Sequence, residues 1–211
     1  MIFTLLSQDP KLALYLVIAI LVALTFHEFA HAWTSRYFGD PTPELLGRVT
    51  LNPLAHLDLM GTIFLLLVGF GWGKPVPFNP NNFKNPKRDT VLTAISGPLM
   101  NLVLAIIFSI PFRIGTLVGI DFFSTAFGQL FSLIIQINII LGIFNLIPIP
   151  PLDGSKILYL FVPRNTIMFL ERYGITILFI LIIMSYFGGF DIFSAIIAKP
   201  AIYLMHILTG L

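Results

Sequence analysis

The hydrophobic pattern is one of long runs without a formal charge. Leu12 to Trp33 is the first, and its ionisable residues, His27, Glu28 and His31, all lie toward one end. Thr90 to Pro111 and Phe122 to Ile149 carry no formal charge, and Tyr173 to Phe190 is a fourth such run. Each is near the roughly 20 residues that a helix needs to cross a hydrocarbon core about 30 Å thick. A soluble helical core would break such runs with a polar stripe. The tail from Ile192 to Leu211 is apolar but interrupted by Lys199 and Pro200, so it is expected to form either a fifth span or an interfacial helix.

Leu59 to Phe70, LMGTIFLLLVGF, is apolar but short. At about 1.5 Å rise per residue a straight helix of that length does not cross the bilayer, which predicts a re-entrant loop. It runs into GFGWGKPVPFNPNNF, whose Gly, Pro and Asn content implies irregular backbone, tolerated at membrane depth only against protein or water. The preceding LGRVTLNP, residues 46–53, is a candidate short strand. The predicted fold is therefore an all-α polytopic membrane protein: about 4 to 5 transmembrane helices, a re-entrant loop and room for a short β element. No internal repeat or linker is visible, so residues 1–211 are read as one membrane-embedded domain, with a core over about 12–164 and C-terminal helices over 166–211.

Composition agrees with lipid as the solvent. Of 211 residues, 57% are hydrophobic and 10% charged, with a mean hydropathy of +0.94, whereas soluble domains carry about 25% charged residues. The absence of cysteine removes disulfides, thiolate ligands and thiol nucleophiles. The first run superficially resembles a signal peptide, but no small-residue cleavage site follows it and it contains the candidate chemistry, so it is read as mature protein. The net charge of +2 sits mainly in short loops beside apolar spans, which speaks for membrane orientation and against nucleic-acid binding. If the first span runs from outside to inside, Arg36, Arg48, Lys74, Lys84, Lys87, Arg88, Lys156, Arg164 and Arg172 fall inside, against Lys11 and Arg113 outside. The same topology brings the His27 end of the first span to the side where the third span ends near Asp153.

HEFAH, residues 27–31, is an H-E-x-x-H motif within an apolar helix, so two imidazoles lie one turn apart on one face and can grip one metal ion. Glu28 points off that axis and is the candidate general base toward a metal-activated water. In a soluble chain the pattern can arise by chance, but three ionisable groups inside a membrane span are costly unless they are partnered, which makes function the default reading. Catalytic zinc takes three protein ligands and keeps a fourth position open. The candidate third ligand is Asp153 in NLIPIPPLDG, residues 145–154, where prolines 148, 150 and 151 should end the helix. By itself Asp153 serves equally well as the cap of a helix starting near Gly154.

HEFAH, GPLMN at 97–101 and NLIPIPPLDG, in that order and spacing, resemble the site-2 protease family of intramembrane zinc metalloproteases. LNPLAH at 51–56 and FGWGKPVPFNP at 70–80 are similar to its compact branch without a PDZ domain, and the likeness covers about Leu12 to Arg164. The resemblance implies one zinc ion held by His27, His31 and Asp153, with Glu28 as catalytic base. It further implies that Asn145 orients substrate or stabilises the oxyanion, and that Asn101 has a structural or substrate-gating role. The implied substrates are transmembrane proteins or peptides in the lipid bilayer, and the implied setting is a prokaryotic cytoplasmic membrane with the site toward the cytoplasm. Many members have a further transmembrane helix before the His pair, whereas ten residues precede Lys11 here, so gating is expected to differ from that in longer relatives.

Three rivals remain. A catalytically silent relative would be expected to have lost Glu28 or a ligand. A metal transporter would spread acidic and His residues along a path over several spans. A different membrane metalloprotease would take a glutamate from a later helix, and Glu171, beside Arg172, is poorly placed for that. His56, with Asn52, is a candidate for the edge of the site, although a polar interfacial loop residue is the plainer reading. His206 reads as interfacial, Trp33 and Trp72 as interfacial anchors, and Lys74 as a lipid-phosphate or substrate guide. Gln129, Gln136 and Asn138 are expected to mark the protein-facing side of the third span.

Overall fold

The computed structural model describes residues 2–68, 71–187 and 193–210. Its centre is three helices: α2 (Pro10–Tyr37), α5 (Pro86–Val118) and α6 (Ala126–Asn145). Between them in the chain lie α3 (Thr42–Leu45) and α4 (Leu59–Val68), with a short α1 (Ile2–Gln8) ahead. After α6 come α7 (Ser155–Leu158), α8 (Arg164–Phe187) and α9 (Lys199–Thr209). The sequence sets the helix starts. Asp9 accepts a hydrogen bond from the Leu12 amide ahead of Pro10, and the Thr125 hydroxyl caps the Gly128 amide at α6. Proline at the first turn of α2 and α5 costs no helical bond.

The three central helices approach closely because their contact faces are small. Ala13, Ala19, Ala23 and Ala30 of α2, with Ala94 and Ala105 of α5, are buried. In lipid no hydrophobic force draws helices together, so van der Waals packing of small residues and interhelical hydrogen bonds do that work. Lys11 Nζ donates to Gln129 Oε1 at 2.8 Å, which sets the starts of α2 and α6 side by side; α5 runs antiparallel to both. A core of Ala105, Phe112, Ile135 and Ile139 extends to Ala201 of α9.

Among the described residues, four helices are long and apolar enough to span a membrane: Pro10–Tyr37, Pro86–Val118, Ala126–Asn145 and Arg164–Ser185. The all-α polytopic expectation is met. The third span stops at Asn145, four residues short of the predicted Ile149, because Pro148 has no amide hydrogen and disfavours helical geometry in the residue before it. α8 buries little of its surface against the bundle. Its Gly174 packs on Pro150, and its Glu171 accepts from the Tyr159 hydroxyl. The apolar tail forms a π-helical turn, Ser194–Ala198, and then α9, which packs on α5 and α6 with Arg113 donating to the carbonyls of Leu208, at 2.9 Å, and Ile207. Among the described residues the tail helix, Ser194–Thr209, is a shorter apolar helix than the four candidate spans. Phe190 and Ile192, which bound the fourth run and the tail, lie outside the described residues, as do Gly69 and Phe70.

Leu57 pairs with Gly73 in an isolated antiparallel bridge, so the segment that contains α4 leaves and returns at adjacent points, as a re-entrant hairpin requires. That bridge is the β structure present among the described residues, and the strand expected in 46–53 is absent. Side chains use the groups a ladder would need: the Thr50 carbonyl accepts from His56 Nε2 at 2.8 Å, and Asn52 caps a 3-10 turn over Pro53–Ala55. Of Gln129, Gln136 and Asn138, expected on the protein-facing side of the third span, Asn138 is fully buried, Gln136 is exposed, and Gln129 is exposed while accepting from Lys11 of α2.

Candidate metal centre

His27 and His31 sit one turn apart on α2 and are 3% and 6% exposed. Their Nε2 atoms are 3.1 Å apart, and Asp153 Oδ2 lies 3.1 Å from the first and 3.2 Å from the second. These three atoms form the group of potential metal ligands among the described residues. The Asp153 carboxylate therefore faces the imidazoles. It does not cap α7, whose N-cap is Gly154 without a side-chain bond.

The far side of each ring fixes what the near side can be. Asn101 is fully buried, and its Nδ2 donates to Ala23 O at 3.1 Å and to Asn138 Oδ1 at 2.8 Å. Its Oδ1 must then be the atom facing His27 Nδ1 at 2.6 Å, so that nitrogen is the donor. His31 Nδ1 likewise donates to the Thr93 carbonyl at 2.7 Å. With both Nδ1 atoms protonated, the neutral rings turn two Nε2 lone pairs and a carboxylate oxygen toward one point. Three acceptors this close offer one cation three ligand atoms. Their separations approach the edge of about 3.3 Å expected for tetrahedral zinc with Zn–N near 2.0–2.1 Å, and two imidazoles with one carboxylate are a zinc donor set. Gly97 adds a second fit: a Cβ there would stand 2.4 Å from His31 Nε2 and 2.8 Å from His27 Cε1.

Asp153 is carried by the turn after α6. The Gly154 amide donates to Asn145 O at 2.7 Å, and a side chain at Gly154 would collide with the Leu146 carbonyl at 2.2 Å. Asn145 thus stands at the base of this turn, its Nδ2 donating to Leu141 O at 3.0 Å. Glu28 is 9% exposed, and the Val76 amide donates to its Oε2 at 3.2 Å. The segment 74–79 that carries Val76 is tied down by Asp40, which accepts from the Asn79 amide and from Asn82 Nδ2, both at 2.7 Å.

His56 is fully buried, which corrects the interfacial reading: it bonds Thr50 O and lies 3.4 Å from Arg48. His206 and Lys74 are exposed, as are Trp33 and Trp72. The residues that orient the site, Thr93, Gly97 and Asn101, recur every four positions on one face of α5. GPLMN pointed to two of them without revealing that Asn101 meets His27.

A helical membrane bundle with a buried histidine–carboxylate cluster, a candidate metal centre, is thereby defined. The profile of Peptidase family M50 matches residues 15–120 and 111–187. A Bacillus subtilis protein provisionally named as the zinc metalloprotease YwhC is 43% identical over 175 residues, covering 80% of each chain. The Mycobacterium tuberculosis protein provisionally named as the zinc metalloprotease Rip2 is 32% identical over 146 residues, 64% of this chain and 52% of its own length. A Methanocaldococcus jannaschii protein named as a zinc metalloprotease is 25% identical over 143 residues, 68% of this chain and 33% of its own. No solved structure matches. The chain belongs to Peptidase family M50.

Proposed function

We propose that this chain is an intramembrane zinc metalloendopeptidase of the site-2 protease type, cutting peptide bonds in or beside transmembrane segments of other membrane proteins. The observation that carries this reading is the convergence of His27 Nε2, His31 Nε2 and Asp153 Oδ2 within a buried, membrane-spanning bundle. Membership in a peptidase family, and the zinc metalloprotease names of its relatives, support the same reaction. Residues 1–211 act in this reading as one membrane-embedded domain.

When bound by His27, His31 and Asp153, a zinc ion supplies a Lewis acid for the scissile carbonyl and acidifies the attacking water. Glu28, one residue beyond His27, takes the proton from that water and returns it to the amine nitrogen as the C–N bond breaks. Asn101 and Thr93 keep both Nε2 lone pairs on the site by accepting from the Nδ1 atoms. The Asn145 amide uses one N–H on Leu141 O and has a second with which to hold substrate backbone or the developing oxyanion. A substrate helix must unwind to offer its carbonyl, so helix-weakening residues near the cut favour cleavage. Segment 74–79, whose Val76 amide donates to Glu28, borders the site that such an unwound strand enters.

The distribution of positive charge, and the bacterial and archaeal sources of the relatives, support a prokaryotic cytoplasmic membrane with the site opening to the cytoplasm. The silent-relative and transporter readings are weaker: Glu28 and all three ligand positions are present, and the ligands gather at one depth.

The test is cleavage of a co-reconstituted single-span substrate by wild-type protein and by Glu28→Gln, with zinc measured on both. The expected result is cleavage lost in the variant with zinc retained. A wild-type protein without zinc, or undiminished cleavage by the variant, would sink the reading.

A further inference from the structure

Arg48 is 4% exposed, yet none of the ion pairs among the described residues includes it. A buried guanidinium costs several kcal/mol unless its donors are used. Arg48 uses them on backbone: one terminal nitrogen donates to Pro75 O at 2.9 Å, and the other donates to Lys74 O at 2.5 Å while lying 3.4 Å from His56 Nδ1. Its Nε–H is, with the Thr93 hydroxyl, a buried side-chain polar group without a partner among the described residues. Burial lowers the pKa of the guanidinium, and the Glu28 carboxylate acts on it in the opposite sense. The carbonyls that Arg48 grips directly precede Val76, whose amide holds Glu28 Oε2. Structural economy alone does not explain this: one buried cation is spent on two consecutive carbonyls of an otherwise irregular segment that meets the site at the next residue.

Resting on the protease reading above, we propose that Arg48 is a positioning residue for hydrolysis: by gripping the Lys74 and Pro75 carbonyls it registers the Val76 N–H on Glu28 and so fixes the carboxylate in its working orientation. Asp40 anchors the far end of the same segment through Asn79, so the strap over Glu28 is held at two points with Val76 between them. His56 completes the near anchor, its carbonyl accepting from the Lys74 amide at 2.8 Å. Arg is required because only a planar fork reaches both carbonyls at once.

The experiment compares wild type, Arg48→Met, Arg48→Lys and Glu28→Gln on the single-span substrate, with zinc content and amide hydrogen exchange over residues 71–80. Arg48→Met is expected to lower kcat roughly 10- to 100-fold, the kinetic equivalent of one charge-assisted hydrogen bond, with KM within about threefold and zinc unchanged. Arg48→Lys, keeping charge without the fork, is expected to fall between the two. The Val76 amide is expected to exchange faster in Arg48→Met. Wild-type kcat and exchange in Arg48→Met overturn the proposal while leaving the protease reading intact; cleavage surviving Glu28→Gln overturns the protease reading itself. If Arg48→Met does not fold, Val76→Pro removes the registered N–H with Arg48 in place, and Val76→Ala keeps it. Similar kcat values in those two variants also overturn the proposal, and a loss confined to Val76→Pro supports it.

Discussion

Asn101 Oδ1 lies 2.6 Å from His27 Nδ1, and Ala23 and Asn138 leave that oxygen no other orientation. One amide thus ties α2, α5 and α6 together and sets the tautomer of a candidate metal ligand. Asn101→Leu removes the acceptor and leaves buried partners unpaired, at about 1–3 kcal/mol. Zinc affinity is expected to fall about 10- to 100-fold, as when the outer partner of a ligating histidine is lost. Chelator competition on purified protein reads this directly, and unchanged affinity would show that the bond does not tune the site.

Gly97 has no room for a methyl group, because its Cβ would overlap the His31 ring. Gly97→Ala is expected to turn His31 away from His27 and Asp153. A ligand that binds only the folded state raises stability by about 2.7 kcal/mol at one hundred times its Kd. Added zinc should therefore raise the unfolding temperature of wild type and leave Gly97→Ala almost unmoved. An equal zinc-dependent rise in both would mean that the ring accommodates the methyl group.

Asp40 links acid stability to the strap over Glu28. Burial pushes its carboxyl pKa upward, but hydrogen bonds from Thr42, Asn82 and the Asn79 amide outweigh that and hold it below the ordinary value. A carboxyl whose folded pKa lies below its unfolded value contributes stability above about pH 4, and loses it as pH falls through the folded value. Wild-type stability in detergent is expected to drop between about pH 4 and lower pH, with faster exchange over residues 76–82. Asp40→Asn is expected to be weaker at neutral pH and flatter in acid. Parallel pH curves for the two proteins would remove Asp40 from the acid response.

Much of this molecule can be read along the chain because its causes are local. Uncharged runs of spanning length have one low-cost conformation in lipid, so four helices and the re-entrant segment follow from hydropathy. HEFAH places two imidazoles on one face through helical periodicity alone, and Pro148 ends α6 because it lacks an amide hydrogen. The strand expected at 46–53 failed for the complementary reason: pairing needs a partner edge, and His56 takes the Thr50 carbonyl while the Arg48 guanidinium takes the carbonyls of Lys74 and Pro75.

The third candidate ligand could not be chosen in this way. Asp153 follows His27 by 126 residues and reads equally well as a cap until α2, α5 and α6 pack. The same holds for Asn101 against His27, for the missing Cβ of Gly97 beneath His31 and for the Val76 amide on Glu28. Each is a contact between elements far apart in sequence, and its geometry exists only when small residues let the helices approach. Local periodicity therefore set which residues share a face, and interhelical packing decided which faces meet.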